Sequence, residues 1–389
     1  MHKLAIITTH PIQYNAPAFQ HLSASGIQCR VFYTWGKSVL QNKYDPDFGK
    51  TIEWDIPLLE GYEYEFCENI SKKPGSHDYY GIINPHLIHS IIQYKATHVL
   101  VIGWRFKSHL QVLKYFKGKI PVLFRGDSTL LDQSSGVSIK TFARKLYLSR
   151  VYKKIDFALY VGTANKAYYK NMGLAETQLV FAPHAIDNFR FSKINTGQLQ
   201  WVNETKSQAN VKEDDVSIVF CGKLHEKKNP LLLLKAVNNL LQKNVHLFFI
   251  GDGELERQLK NEATGKKNIH FLPFQNQSMM PAVYRLGDIF CLPSQGPGET
   301  WGLAVNEAMA CGKAVLVSDK AGSTVDLVRE GVNGYSFKSN DSKDLQGKLE
   351  LMIKDKEKLN QMGKVSLELI KPWNFGAIAV AINKAILSA

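Results

Sequence analysis

Two carboxylates eight residues apart, Glu299 and Glu307, mark the segment of this chain best suited to chemistry. An apolar run ends at Leu292, a loop with Gly296, Pro297 and Gly298 follows, and a helix of small residues is expected to begin near Thr300. The free N–H groups of such a helix start, with Gly302 allowing close approach, suit a phosphate or a sugar hydroxyl. Glu299 would sit at the helix mouth, and Glu307 about 12 Å further along the axis and about 80° round it. Glu307 lies among Val305, Ala308, Met309 and Ala310, where a carboxylate needs a partner. The plainer alternative makes Glu299 a capping acid and Glu307 a surface residue. Cations stand upstream, where Gly222, Lys223, Lys227 and Lys228 follow a strand expected at 217–221. Asn229 and Pro230 suit a helix start, so the lysines fall on a strand-to-helix loop. Such a loop either is solvated or holds a diphosphate, each charge-assisted contact contributing about 1.5–3 kcal/mol. Gly251, Asp252, Gly253 and Glu254 form a second such turn, suited to tight geometry or to a phosphate.

The elements that must position these residues follow from periodicity. Short β-branched runs alternate with longer amphipathic segments, the pattern of parallel strands joined by helices. Strands are expected at 4–8, 29–34, 98–103, 121–125, 158–162 and 179–182, then at 217–221, 246–250, 269–272, 289–292, 314–317 and 334–337. Two doubly wound α/β domains result, with ligands beyond the carboxyl ends of the strands in a cleft between them. The polar stretch 198–215 reads as a linker and the hinge as lying within 188–215. Pro372 is placed to start a final helix.

The 389 residues have 44% hydrophobic and 21% charged side chains, which excludes disorder, collagen-like repeats and a disulfide scaffold. Lys and Arg number 48 against 35 Asp and Glu, a net charge of +13 that predicts an anionic partner. Residues 1–190 carry 23 basic and 14 acidic side chains, and within 95–154 there are 13 basic residues opposed by Asp127 and Asp132 alone. There, basic residues interleave with Phe, Leu, Tyr and Val at helical spacing, which fits either an interfacial helix on anionic lipid or a solvated helix with its apolar face in the core. The five cysteines have neither disulfide nor zinc spacing and read as buried thiols in a reducing compartment. The apolar run at the N-terminus is too short for a signal peptide, so the expected location is cytoplasmic, extending to the inner face of the membrane.

The segment from Leu292 to Gly312 resembles the glutamate-x7-glutamate signature of retaining glycosyltransferases of family 4, of bacterial type. The loop from Gly222 to Lys228 is similar to that family's diphosphate loop, with Lys223 where Arg is usual. Lysine keeps the charge but lacks the planar fork, which loosens the geometry. The resemblance extends over Gly251 to Glu254 and Ala321 to Gly334, and so over the second half. It implies a GT-B fold: two Rossmann-like domains facing across a cleft, an acceptor-binding domain at 1–190, a nucleotide-sugar domain at 191–371, and a helix at 372–389 packing back on the first domain. It also implies a donor held by Gly222, Lys223 and Lys228 at the diphosphate, by the amides of Thr300, Trp301, Gly302 and Leu303, and by Glu307 at the ribose. Glu299 would orient the transferred sugar, and Phe274 would mark the base.

In the first half, His10, Pro11, Ile12, Gln13 and Tyr14 resemble a variant loop of some bacterial members, with His10 facing the reaction and Gln13 the acceptor; alternatively His10 only caps the next helix. Arg125 and Asp127 end a strand where relatives present a reacting side chain, and serve either acceptor binding and catalysis or a simple ion pair. Residues 183–187 fall at the domain junction, where His184 and Ala185 depart from the family pattern. Asp45, Pro46 and Asp47 spell D-x-D without the surroundings of a metal-binding fold, so metal-independent transfer with no cofactor is expected. The resulting reading is a hexosyltransferase moving sugar from a UDP-, GDP- or ADP-sugar to a glycan or lipid-linked acceptor in cell-surface polysaccharide synthesis (lipopolysaccharide, capsule or exopolysaccharide). Anionic membrane contact runs through 95–154, and nucleic acid is not expected. The alternatives are another GT-B enzyme, such as a nucleotide-sugar 2-epimerase or a phosphorylase, and a non-catalytic membrane- or nucleic-acid-binding protein.

Overall fold

The computed structural model describes residues 2–40, 44–45, 50–51, 53–131, 139–242 and 244–388. Pro46 and Asp47 of the D-x-D motif, and residues 132–138 of the basic stretch, lie outside them. The chain divides into two units, one of residues 1–43, 56–184 and 375–389, the other of 44–55 and 185–374. The division thus falls after His184, a few residues before the expected boundary at 190, and after Asn374, a few residues past the one expected at 371, and the short segment 44–55 belongs with the second half.

The strands of the first half are β1 (Leu4–Thr8), β2 (Cys29–Tyr33), β3 (Tyr44–Asp45), β4 (Lys50–Thr51), β5 (Glu63–Phe66), β6 (His98–Ile102), β7 (Val122–Arg125), β8 (Phe157–Tyr160) and β9 (Leu179–Phe181). All but β3 and β4, which pair with each other, form one parallel sheet of order β5-β2-β1-β6-β7-β8-β9. The helices are α1 (Ala16–Ala24), α2 (Leu87–Gln93), α3 (Lys107–Phe116), α4 (Ile139–Tyr152) and α5 (Thr163–Asn171). All five residues of β1 are buried, as expected of a central parallel strand covered on both faces. β5 is absent from the sequence-based strands because it is an edge: Glu63 and Tyr64 are exposed, and Arg30 pairs with Glu63 and Glu65.

The two basic helical segments behave differently. α3 buries Val112, Leu113 and Phe116 in the core, the ordinary arrangement of an amphipathic helix. On α4, Leu148, Val151 and Tyr152 are buried, but Ile139 is 90% and Phe142 66% exposed, and Leu146 and Tyr147 are also exposed.

The second half continues with α6 (Asn188–Ser192), α7 (Thr196–Gln208), β10 (Val216–Cys221), α8 (Pro230–Asn238), β11 (Val245–Ile250), α9 (Glu256–Glu262), β12 (Ile269–Leu272), α10 (Met280–Arg285), β13 (Ile289–Leu292), α11 (Leu303–Ala310), β14 (Ala314–Ser318), α12 (Thr324–Leu327), β15 (Gly334–Phe337), α13 (Ser342–Met352) and α14 (Lys356–Ile370). Its six strands form a parallel sheet of order β12-β11-β10-β13-β14-β15. β10 and β11 are buried throughout, and Phe220, Phe249 and Leu247 centre a core whose large side chains each contribute about 1.5–3 kcal/mol.

The expected linker at 198–215 is instead largely α7. Asn195 and Gln198 form a reciprocal capping box at its start, and Val202 turns inward. Its polar composition reflects an exposed helix rather than a loop. The last helix, α15 (Phe375–Leu387), starts three residues after Pro372 and packs on α1 within the first unit, burying Ile378, Ile382 and Ile386. By length and composition 356–387 could cross a membrane, but α14 and α15 are separate helices in different units, each with a buried face.

Candidate active site

In the second unit the sheet order reverses between β10 and β13, so the loops after these strands frame its switch point. They are stitched together: Gln295 N–H donates to the Lys227 carbonyl at 2.9 Å and Gln295 Nε2 to the Glu226 carbonyl at 2.8 Å. Across this seam the Lys228 ammonium donates to Glu299 Oε2 at 2.5 Å, and the Ser294 hydroxyl donates to the same oxygen at 3.0 Å. Burial alone would raise the Glu299 carboxyl's pKa, but the Lys228 charge and hydrogen bond, with Lys227 and Ser294, outweigh it and hold the group below its ordinary value. Lys223 and Lys227 are half-buried on the same loop. Asn229 occupies the expected cap position but has φ 51°, makes no side-chain cap bond, and donates instead to Asn340 at 2.9 Å.

The helix expected near Thr300 begins at Leu303, because Gly302 holds φ 90° and interrupts the spiral. A Cβ on Gly302 would also come within 2.8 Å of Leu292 Cδ2. Glu299 therefore stands on a loop rather than one helical face with Glu307, and the calculated 12 Å step does not apply. The 300–302 turn is braced by β14's following loop, where Gly322 N–H donates to the Glu299 carbonyl at 3.1 Å and Ser323 N–H to the Trp301 carbonyl at 2.9 Å. The Trp301 side chain faces inward, donating to Asn306 at 2.8 Å and packing against Trp373 with the rings tilted by 34°. Glu307 is 2% exposed, which rules out a surface role, and accepts from the Tyr284 hydroxyl at 2.5 Å. Burial raises both the Tyr284 hydroxyl and the adjacent Cys221 thiol far above their usual pKa, so both stay protonated. Phe274 follows β12, its N–H donating to the Asp252 carboxylate at 3.2 Å.

In the first unit the order reverses between β1 and β6. After β1, His10 Nδ1 meets the Thr9 hydroxyl at 2.9 Å and the ring stands edge-on to Trp35 at 5.0 Å. Burial lowers the His10 pKa to about 4, so the ring is neutral at pH 7. Gln13 is half-buried in the turn leading to α1, whose cap position is Asn15 rather than His10. After β6, Gly103 accepts from His109 Nδ1 at 2.8 Å, leaving Nε2 as an acceptor 2.9 Å from the Thr34 hydroxyl. Burial also lowers His109 to about 4. Arg125 ends β7, donating to the Ala182 and Pro183 carbonyls at 2.7 and 2.9 Å and anchoring the chain after β9. Burial brings its pKa down to about 10, leaving it charged at neutral pH. Asp127 is exposed, and His184 lies within the electrostatic reach of both. Burial, then Arg125, lowers His184 to about 3.

Sequence reasoning missed Ser294, Tyr284, Trp35 and His109. Ser294, two residues past a strand end, carried a positional signal; the others gain their roles through partners distant in sequence. Among the described residues no group of three or more His, Cys, Asp or Glu side chains could hold a metal ion.

The fold is that of GT-B proteins. The chain superposes on Anabaena HepE in complex with UDP and glucose with a TM-score of 0.72 at 16% identity, covering 100% of both chains. Sucrose-phosphate synthase from Thermosynechococcus elongatus gives 0.73 at 15% identity, covering 100% of this chain and 99% of that one. Residues 202–367 match the family described as Glycosyl transferases group 1. The chain is 31% identical over 175 residues to the sulfoquinovosyl transferase SQD2 of Arabidopsis thaliana, covering 44% of this chain and 33% of that one. It is 32% identical over 142 residues to the lipopolysaccharide 1,2-N-acetylglucosaminetransferase of Salmonella typhimurium, covering 33% of this chain and 37% of that one. The matched stretches thus span about a third of the length of these curated relatives.

Proposed function

We propose that the protein is a retaining family 4 glycosyltransferase that moves a sugar from a nucleotide-diphosphate sugar to a glycan or lipid-linked glycan acceptor in bacterial cell-surface polysaccharide synthesis. The observation that carries this reading is the Lys228–Glu299–Ser294 cluster beside the α11 N-terminus, at the switch point of the second unit's sheet. A diphosphate arriving there draws the Lys228 ammonium, with Lys223 and the amides at 300–303, onto its oxygens. Glu299, released from that cation, accepts hydroxyls of the transferred sugar. Glu307, with its Tyr284 partner, accepts the vicinal hydroxyls of the ribose. HepE's capture with UDP and with UDP-glucose supports a nucleotide-sugar donor, and the transferase names of the curated relatives support group transfer.

Retention proceeds by front-face attack. The acceptor hydroxyl oxygen bonds to the anomeric carbon as the bond to the β-phosphate oxygen breaks, and the departing phosphate takes the hydroxyl proton. The protein positions the reactants and stabilises the leaving charge with lysines and helix amides, the role a metal ion has elsewhere. His10, neutral and beside Trp35, and Asp127 take part in the transfer, while Gln13 and Arg125 bind the acceptor. Mass-spectrometric trapping of a glycosyl-enzyme adduct would overturn this mechanism. Donor hydrolysis across UDP-, GDP- and ADP-sugars tests the activity. Lys228→Ala and Glu307→Ala should each abolish most turnover, and unchanged turnover in both would sink the site.

The acceptor's setting is the inner face of a membrane, with the enzyme cytoplasmic and peripheral. Exposed Ile139, Phe142, Leu146 and Tyr147 on α4 lie among Arg144, Lys145 and Arg150, and Trp104 contacts Tyr147. An exposed apolar face with a basic rim suits anionic lipid, each basic residue contributing roughly 1 kcal/mol near the surface. Co-sedimentation with phosphatidylglycerol vesicles should fall on Phe142→Ser with Leu146→Ser; undiminished binding of the double variant would remove α4 from this role.

A further inference from the structure

The chain leaves the first unit for a short excursion. Residues 44–55 belong to the second unit, although β2 before them and β5 after them pair side by side in the first. The end of this arm is pinned to the loop after β12. Asn276 Nδ2 donates to the Glu53 carbonyl at 2.5 Å, and Ser278 N–H donates to the Asp55 carboxylate oxygens at 3.0 and 3.2 Å. The Ser278 hydroxyl also donates to that carboxylate. Between these anchors Trp54 is half-buried, and its ring meets that of Phe274 with centroids 6.5 Å apart at 61°.

The hydrogen bonds at Glu53 and Asp55 tether the arm without using the indole between them. The turns after β10 and β11 are built from Gly222, Gly251 and Gly253, which present no side chain; a Cβ on Gly251 would lie 2.1 Å from the Gly222 carbonyl oxygen. This row leads from the lysine loop to the edge strand β12, two strand spacings or about 10 Å away, and ends at the two aromatic rings. An elongated ligand anchored by its diphosphate at Lys228 would span the row with its ribose and bring its base to the rings.

We propose that Trp54, with Phe274, forms an aromatic clamp on the base of the nucleotide donor, residues 53–55 thereby completing the second unit's binding edge. The inference rests on the donor-site reading above. Stacking on an aromatic face holds any base, so the clamp governs affinity for a nucleotide over a bare diphosphate rather than the choice of base.

The test is titration calorimetry of the full chain with UDP, GDP, ADP and inorganic diphosphate. Trp54→Ala should weaken the preferred nucleotide about tenfold or more and leave inorganic diphosphate binding unchanged, while Trp54→Phe restores most of the loss. Wild-type nucleotide affinity in Trp54→Ala, or equal loss of nucleotide and diphosphate, overturns the clamp. In either of those cases Lys228→Ala still loses both ligands if the donor-site reading is right. Should the wild-type chain bind none of the three nucleotides, the donor-site reading fails and takes the clamp with it.

Discussion

At the carboxyl edge of the second unit's sheet, opposite charges are already in contact; at the same edge of the first unit, titratable rings are kept neutral. Lys228 and Glu299 meet at 2.5 Å, and their pairing keeps a nearly buried carboxylate ionised. His10 and His109 are held at pKa values of about 4 and His184 at about 3, in each case chiefly by burial. A paired cation and anion can be exchanged for a ligand's own charges, since each partner finds a replacement. A neutral imidazole cannot attract an anion, but it can accept or donate a hydrogen bond to an uncharged hydroxyl. The contrast fits a charged donor at one edge and a sugar hydroxyl at the other.

The largest effect should come from breaking the ion pair. Lys228→Ala removes the cation and leaves Glu299 buried without it, costing about 3 kcal/mol of stability and lowering donor affinity about 10- to 100-fold. Adding Glu299→Gln should return most of the stability, read by chemical denaturation, without returning turnover. If stability and turnover recover together, the pair is structural and the contrast between the edges collapses. Tyr284→Phe is expected to cost about 2–3 kcal/mol, because the Glu307 carboxylate loses a buried donor. A loss under about 0.5 kcal/mol would mean the bond is readily replaced and gains nothing from its low-dielectric surroundings.

Gly302→Ala should cost about 1–2 kcal/mol through backbone strain at φ 90° and contact with Leu292, and shift the start of α11. A further effect is a pH slope from the first unit. The unfolded chain protonates its histidines near pH 6.5, whereas His10 and His109 in the fold remain neutral down to about pH 4. Between those limits the unfolded state binds more protons, so stability falls as pH drops from about 6.5 to about 4 and levels off below. His109→Gln should flatten that slope in denaturation series across pH; an unchanged slope would show that this ring does not contribute.

Much of the second unit's edge was legible because its groups lie in two contiguous stretches. Lys223, Lys228, Glu299 and Gly302 each follow a strand end, and strand ends are where β-branched runs give way to glycine and proline. The misreadings have local causes. α7 has polar surface residues and reads as a linker until the Asn195–Gln198 capping box is weighed. Glu307 was placed by extending a helix through Gly302, whose left-handed backbone interrupts it. In the first unit, His10 and Arg125 could be noticed, but their burial and partners were not visible: Arg125 binds carbonyls 57 and 58 residues away.

The sequence by itself determined the alternation of strands and helices, the parallel α/β class and the positions of the phosphate-suited turns, because backbone propensity and hydrophobic period act over a few residues. Only the tertiary structure decided who meets whom. Lys228 reaches Glu299 across 71 residues because β10 and β13 lie side by side at a reversal in strand order, and the 44–55 arm reaches 276–278 across 223 residues by leaving one unit for the other. Such partnerships depend on strand order and close packing, which no local pattern encodes.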